Sequence, residues 1–479
     1  MSGTTQGKGG TTQGKGGTTQ GQGGTTQGQG GTTQIFFSAT QYAAATVTAA
    51  IRAGLFGPRA AHRRILVVSN VAAIPEVGTP LDRMAGFEKL RPEFDEVRSW
   101  NEFISPHHPV GWSPRAQDAQ LWEKAVRLAW DLGDEPVEIA CESIQANPSR
   151  AVADIFADSP IHVYADGLMS YGPTRNRIPH GMNSRIVRVL HLDLIPGLRP
   201  MLLSEYGVEP EPIPNEAIVE VLGQIGEDGA GILEERLPAD DRPTAVLLGQ
   251  YLSAIDLITQ DEEEALHVRM LRAAAGAGHD SVLFKPHPSA PAVYNRSLDA
   301  AAAELGVRLT VLSEPVLAET VFAHLRPKLV IGCFSTALMT AAAFYDIPVA
   351  RVGTDLLLER ITPYENSNRI PLTVIDAALP DAERDEVGAP LELAGLAGEL
   401  APLVRAVGYC MQSLKHHGLR DEVAAWIAAH LAEYPRYFKK RRLTSLRLPG
   451  GSPVRAQSLR RNPTVRRVVR RIRAAQSAS

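Results

Sequence analysis

Twice in this chain, short and almost wholly apolar runs alternate with helix-patterned stretches, and that rhythm restricts the fold more than any other feature. In the first half the runs are "IFFS", "RILVVSN", "EPVEIAC" and "IHVYADG", separated by stretches such as Gln41–Leu55 and "AQDAQLWEKAVRLAWDLG". In the second half they are "TAVLLGQ", "SVLFKPH", "VRLTVL", "KLVIGCF" and "IPVARVG", again with helical stretches between. A strand apolar on both faces belongs in a parallel sheet covered on both sides by its crossover helices. The expected fold class is therefore α/β, with two Rossmann-like doubly wound domains facing a central cleft. A polar, Gly-, Pro- and acid-rich stretch over Glu205–Arg242 reads as the connection between them.

The ends of the chain depart from this pattern. Residues 4–31 are four copies of a seven-residue unit, "TTQGKGG" twice and "TTQGQGG" twice, with no apolar residue to bury. The expected organisation is a disordered repeat arm over 1–34, a first Rossmann-like domain over 35–240, a second over 241–391, bracing helices over 392–435 and a basic tail over 436–479. That tail holds fourteen Lys/Arg and no Asp/Glu, while the whole chain has a formal charge of −4. The body is thus strongly acidic and the tail is the part suited to an anionic surface. Within it, Val465, Val468, Val469 and Ile472 fall on one helical face with arginines on the other, which suits an anionic membrane surface. No recognition module for nucleic acid accompanies it. Three scattered cysteines, Cys141, Cys333 and Cys410, read as reduced thiols. Neither a spanning helix nor a secretory leader is evident, so the expected location is cytoplasmic, peripheral at the inner face of the plasma membrane.

In open parallel sheets, ligands bind beyond the carboxyl ends of the strands. Four polar clusters occupy such positions: Gly249-Gln250, Lys285-Pro286-His287-Pro288, Ser335-Thr336 and Asp166-Gly167. Lys285 and His287 are donors to an anion, and the flanking prolines restrict the backbone that carries the imidazole. Ser335 and Thr336 stand where a helix begins, so their hydroxyls join unpaired amides and the positive end of the helix dipole. Together these residues form a candidate phosphate site for a nucleotide-linked donor. Asp166, beside Gly167, is placed to act as a general base on an acceptor hydroxyl, and Arg175 and Arg177 are candidate carboxylate binders. Each cluster also has a purely structural reading: a rigid Pro-His-Pro turn, a Ser-Thr helix cap, an Asp-Gly turn and a solvated basic loop. No Walker loop, dinucleotide fingerprint, H-E-x-x-H or D-x-D occurs.

With these residues assembled, the chain resembles the bacterial α-2,8-polysialyltransferase-like family, a branch of the two-domain GT-B sialyltransferases. The resemblance runs from "QIFFSATQYAAATVTAAIRAGLFG" through "YADGLMSYGPTR", "LLGQYL" and "KPHP" to "CFSTAL". It implies that Asp166 matches the family's general base, His287 its donor-binding histidine and proposed acid, and Ser335-Thr336 its donor-phosphate hydroxyls. Ala165 departs from the pattern, since many relatives carry a second acidic residue there. The implied activity is transfer of sialic acid, or a related nonulosonic acid, from a CMP-activated donor to a hydroxyl of a glycan or glycolipid acceptor. The expected reaction is inverting, metal-independent and without a cofactor, the CMP-sugar being a substrate. Two other readings fit the same residues. One is another GT-B transferase of cell-surface polymer synthesis, such as a CDP-glycerol glycerophosphotransferase or a capsule sugar transferase. The other is a non-catalytic nucleotide-sugar or glycan-binding relative.

Overall fold

The computed structural model describes residues 31–237, 242–287 and 295–452. The first sheet comprises β1 (Thr32–Ser38), β2 (His62–Val68), β3 (Glu96–Ser99), β4 (Val137–Cys141), β5 (Ile161–Ala165), β6 (Ile186–Leu192) and β7 (Pro210–Ile213). Its strands run parallel in the order β3-β2-β1-β4-β5-β6-β7. The second sheet holds β8 (Ala245–Leu248), β9 (Ser281–Lys285), β10 (Arg308–Val311), β11 (Leu329–Gly332) and β12 (Val349–Arg351), parallel in the order β10-β9-β8-β11-β12. Both sheets are doubly wound, and the two Rossmann-like halves expected from the alternation are present. In each sheet the strand order reverses beside its first strand, at β1/β4 and at β8/β11, and at such a reversal a crevice opens beyond the strand ends.

The apolar runs form these strands because both of their faces are covered. Ile35, Phe36 and Phe37 of β1 and Val330 and Ile331 of β11 are at most 1% exposed. One core covers the outer face of the first sheet with Trp100, Trp130 and Phe156. The other runs without a break from the inner face of that sheet into the second half.

The bridge between the halves is the helix Asn215–Arg236, which buries Ile218, Val221, Leu222, Ile225 and Leu233. It lies inside the stretch expected to be a connection, which proves instead to hold β7 and this helix of 22 residues. Its glycines explain the difference. A Cβ on Gly229 would come within 2.8 Å of the Thr320 methyl, so the glycine marks a close crossing with the helix Ala318–Leu325.

Two other expected boundaries shift. β1 begins at Thr32, inside the expected arm, where Gln34 donates to the Phe56 carbonyl at 3.1 Å and to Glu138 at 3.1 Å. Residues 1–30 lie outside the described residues. At the other end, residues 436–452 belong to the folded body. Tyr437 donates to Asp376 at 2.6 Å, Arg436 pairs with Asp376 at 3.0 Å, and Arg442 donates to the Cys410 carbonyl at 2.6 Å. The amphipathic segment Thr464–Ala475 lies outside the described residues.

The helices Leu396–Met411 and Arg420–His430 follow the second sheet and brace the first half. Just past the first of them, Gln412 donates to the Arg175 carbonyl at 3.0 Å, and Lys415 donates to the carbonyls of Thr174 at 2.6 Å and Asn176 at 3.0 Å. All three cysteines are free and buried. Among the described residues no helix is long and apolar enough to cross a membrane.

Candidate active site

The carboxyl ends of the two sheets meet at Gly167 and Thr336. Gly167 is extended, with φ −156°, so its lack of a side chain answers a demand for space and not for an unusual backbone. A Cβ there would lie 2.8 Å from the Thr336 Oγ1. The same hydroxyl oxygen accepts a hydrogen bond from the Leu168 amide at 3.4 Å. Asp166 directly follows β5 and therefore stands beside this junction, as the sequence predicts.

On the second-sheet side, Ser335 caps the helix Thr336–Tyr345, its Oγ accepting from the Ala337 amide at 3.2 Å. The capping reading of Ser335 is therefore realised. Thr336 is the hydroxyl of the pair that faces the other half. Gln250 holds this turn in place through its Oε1, which accepts from the Phe334 amide at 3.0 Å. Gly249 permits close packing of the ends of β8 and β9: a Cβ would meet the Phe284 ring at 2.8 Å and the Pro286 Cα at 3.1 Å. The segment after β8 is fixed in turn by buried Glu263, which accepts from the amides of Leu252 at 2.7 Å and Ser253 at 3.0 Å and from the Ser253 hydroxyl at 2.6 Å.

Lys285 ends β9 and is 6% exposed. Burial lowers its ammonium to about 8, against the opposing pull of Glu319 and Glu314. The His287 ring lies 4.1 Å from that of Tyr251. Burial, and then the charge of Lys285, lower its imidazole to about 4. At neutral pH His287 is thus a neutral ring. Pro288 lies outside the described residues.

Arg175 and Arg177 occupy an exposed loop. What the structure fixes there is the backbone, through Gln412 and Lys415. The junction accordingly brings together Asp166, Gly167 and Thr336, with Ser335, Gln250, Gly249, Lys285 and His287 on the adjoining strand ends.

Three further residues belong to this neighbourhood and were not predicted. Glu319 is buried on the second half, accepts from the Thr340 hydroxyl at 2.7 Å, and feels both Lys285 and Asp166; burial raises its carboxyl. Tyr42, on the helix Gln41–Arg52, has a buried hydroxyl without a hydrogen-bond partner among the described residues; burial first, then Glu319 and Asp166, push it well up. Glu142 follows β4 as Asp166 follows β5. Both carboxyls are raised chiefly by burial, and Glu142 is raised further by the charge of Asp166. No single-residue signal marks them, because only the sheet order makes them neighbours.

Comparison with known proteins adds the family. A family model described as alpha-2,8-polysialyltransferase matches residues 34–354. Among curated protein sequences, none matches. Solved structures with a similar course include a sialyltransferase from Photobacterium damselae, 13% identical, covering 71% of this chain and 95% of that one, with a TM-score of 0.39. A glycosyltransferase from Rickettsia africae is 10% identical over 85% of this chain and 99% of that one, with a TM-score of 0.37. MurG from Acinetobacter baumannii is 11% identical over 81% and 95%, also at 0.37.

Proposed function

Because the chain belongs to the alpha-2,8-polysialyltransferase family, we propose that it transfers a sialic acid, or a related nonulosonic acid, from a CMP-activated donor to a hydroxyl of a glycan or glycolipid. The observation that carries this reading is the meeting of Asp166-Gly167 with Thr336 across the two halves. It sets a carboxylate on one side of the junction and a hydroxyl, a helix start, a buried ammonium and an imidazole on the other.

The reaction is a single displacement with inversion. The acceptor oxygen bonds to the anomeric carbon as its proton passes to Asp166, and the bond from that carbon to the phosphate oxygen breaks with its electron pair leaving on CMP. Charge grows on the departing phosphate, where Lys285, the His287 N–H, the Thr336 hydroxyl and the amides at the start of the helix Thr336–Tyr345 offset it. With that charge met by protein donors, the reaction needs neither a metal nor a cofactor. Arg175 and Arg177 face solvent, where an acidic acceptor chain approaches. The basic tail is the part suited to hold the enzyme at an anionic membrane surface on the cytoplasmic side, and liposome flotation with and without residues 453–479 tests it.

The decisive experiment is a donor screen on purified protein, following release of the free nucleotide from CMP-sialic acid, CDP-glycerol and an activated Kdo. Release from a CMP-activated nine-carbon acid, reduced about 10²-fold or more by His287→Ala, supports the reading. Consumption of CDP-glycerol alone, or binding of CMP without any turnover, overturns it.

A further inference from the structure

The stretch "LLGQYL" runs two residues past Gly249 to Tyr251, a half-buried aromatic beyond the end of β8. Where β8 and β9 leave the sheet they stay together. Leu248 pairs with Lys285, and the Gly249 amide donates to the Lys285 carbonyl at 2.9 Å. A side chain on Gly249 would strike the Phe284 ring and Pro286, so the glycine lets the two segments run on in contact. Gln250 turns away to the Phe334 amide. Tyr251 and His287 then meet, with ring centroids 4.1 Å apart and planes at 46°.

Pro286 restricts the backbone beside His287, yet the terminal torsion of a histidine is broad and roughly two-fold. A ring packed against the imidazole removes that freedom, provided the ring is itself held. The loop that carries Tyr251 is clasped by Glu263, which is 0% exposed on the helix Gln260–Gly276. One carboxyl oxygen accepts from the Leu252 amide at 2.7 Å, and the other from the Ser253 amide at 3.0 Å and hydroxyl at 2.6 Å. A capping box between Thr259 and Glu262 fixes where that helix starts, and so where Glu263 stands. Contacts thus lead without a gap from a helix, through a clasped loop, to the imidazole.

We propose that Tyr251 is a positioning residue for His287 and that Glu263 acts on the imidazole through it: the clasped loop holds the phenol ring against the imidazole and so fixes the direction His287 presents to the departing phosphate. This inference rests on the reading of His287 as a donor-side group and adds the residues that aim it. The ring also covers the imidazole, in keeping with the burial that lowers His287 to about 4. Lys285 is the charged group acting on it, and Lys285 keeps its charge below about pH 8. A titration in acid solution therefore reads the cover over His287.

The test compares Tyr251→Phe, Tyr251→Ala and Glu263→Gln, with Tyr251→Leu in reserve should alanine unfold the loop. The His287 ring-proton resonance, identified by its loss in His287→Gln, is followed by NMR as pH is lowered. Its midpoint is expected to hold in Tyr251→Phe and to rise by about one unit or more in Tyr251→Ala, toward the ordinary histidine value. An unmoved midpoint in Tyr251→Ala overturns the proposal. With CMP-sialic acid as donor, Tyr251→Ala is expected to lower kcat about tenfold or more, while Tyr251→Phe keeps it. Glu263→Gln should lower kcat less, and the double variant should be no worse than Tyr251→Ala alone, because both act along one path. Additive losses, or a phenylalanine variant as damaged as the alanine one, overturn the proposal. So does a loss of CMP affinity as large as the loss of kcat, which would make the ring a ligand contact. The titration needs no donor, so it decides the arrangement even if the CMP-donor reading fails. If midpoint and cycle behave as expected while His287→Ala retains full transfer, the arrangement stands and the donor role of His287 falls.

Discussion

At the ends of β4 and β5 stand Glu142 and Asp166; at the ends of β9 and β11 stand Lys285, His287 and the hydroxyls of Ser335 and Thr336. Both edges border one junction, and burial acts on both. On the acidic edge it raises carboxyl groups toward the neutral acid, and on the basic edge it lowers Lys285 and His287 toward the neutral base. The formal charges thus overstate what a ligand meets. Each edge is also left ready for the opposite change: Asp166 to gain a proton, and His287 and Lys285 to receive negative charge.

The largest effect that can break this comparison is on Asp166. Asp166→Asn is expected to lower transfer by about 10²–10⁴-fold while the protein stays folded. Because the folded-state carboxyl is raised, ionising it opposes folding, and the cost grows as pH rises from the unfolded value through about 6. The variant should therefore melt about 2–4 °C higher than the wild-type chain at pH 7.5 and gain less at pH 5, as calorimetry can show. A variant less stable than the wild type at pH 7.5 would mean that burial is not what sets this group.

A somewhat smaller loss is expected from Gly167→Ala, which pushes a methyl group against the Thr336 Oγ1. The expected drop in kcat/KM is about tenfold or more, since a misplacement on the order of 1 Å already costs that much. Thr336→Ala in the same chain should recover melting temperature but not turnover, which separates contact between the halves from chemistry.

In pH dependence, the wild-type enzyme should be most active between about pH 6 and 8. It loses kcat/KM as pH falls through about 6, where the base takes up a proton, and again as pH rises through about 8, where Lys285 loses its charge. An acid limb near pH 4 would show that the base is solvated and that the two edges differ less than their burial implies. The smallest effect is on the brace: Lys415→Met frees the backbone of Thr174 and Asn176. The expected result is a few-fold rise in KM for the acceptor and little change in KM for the donor, measured by steady-state kinetics.

How much of this was legible beforehand differs from element to element. The strands "SVLFK" and "LVIG" could be read directly, because a strand buried on both faces must be apolar throughout. The residues at their ends, Lys285, His287, Ser335 and Thr336, could be read with them, since position in the chain places them at the ligand-binding edge. Glu142 could not. It lies 24 residues before Asp166, and only the order β1-β4-β5 makes the two adjacent. The helix Asn215–Arg236 was misread for a different reason. Gly223, Gly226, Gly229 and Gly231 each weaken a helix by up to about 1 kcal/mol, which in sequence looks like a linker. At Gly229 the structure shows the compensating gain, a tight crossing over Thr320.

Thr336 has one more implication. Its oxygen accepts from the Leu168 amide at 3.4 Å, and a hydroxyl that accepts in this way still has its own proton to give. One small side chain can thus fasten the two halves to each other and serve a third group at the same moment.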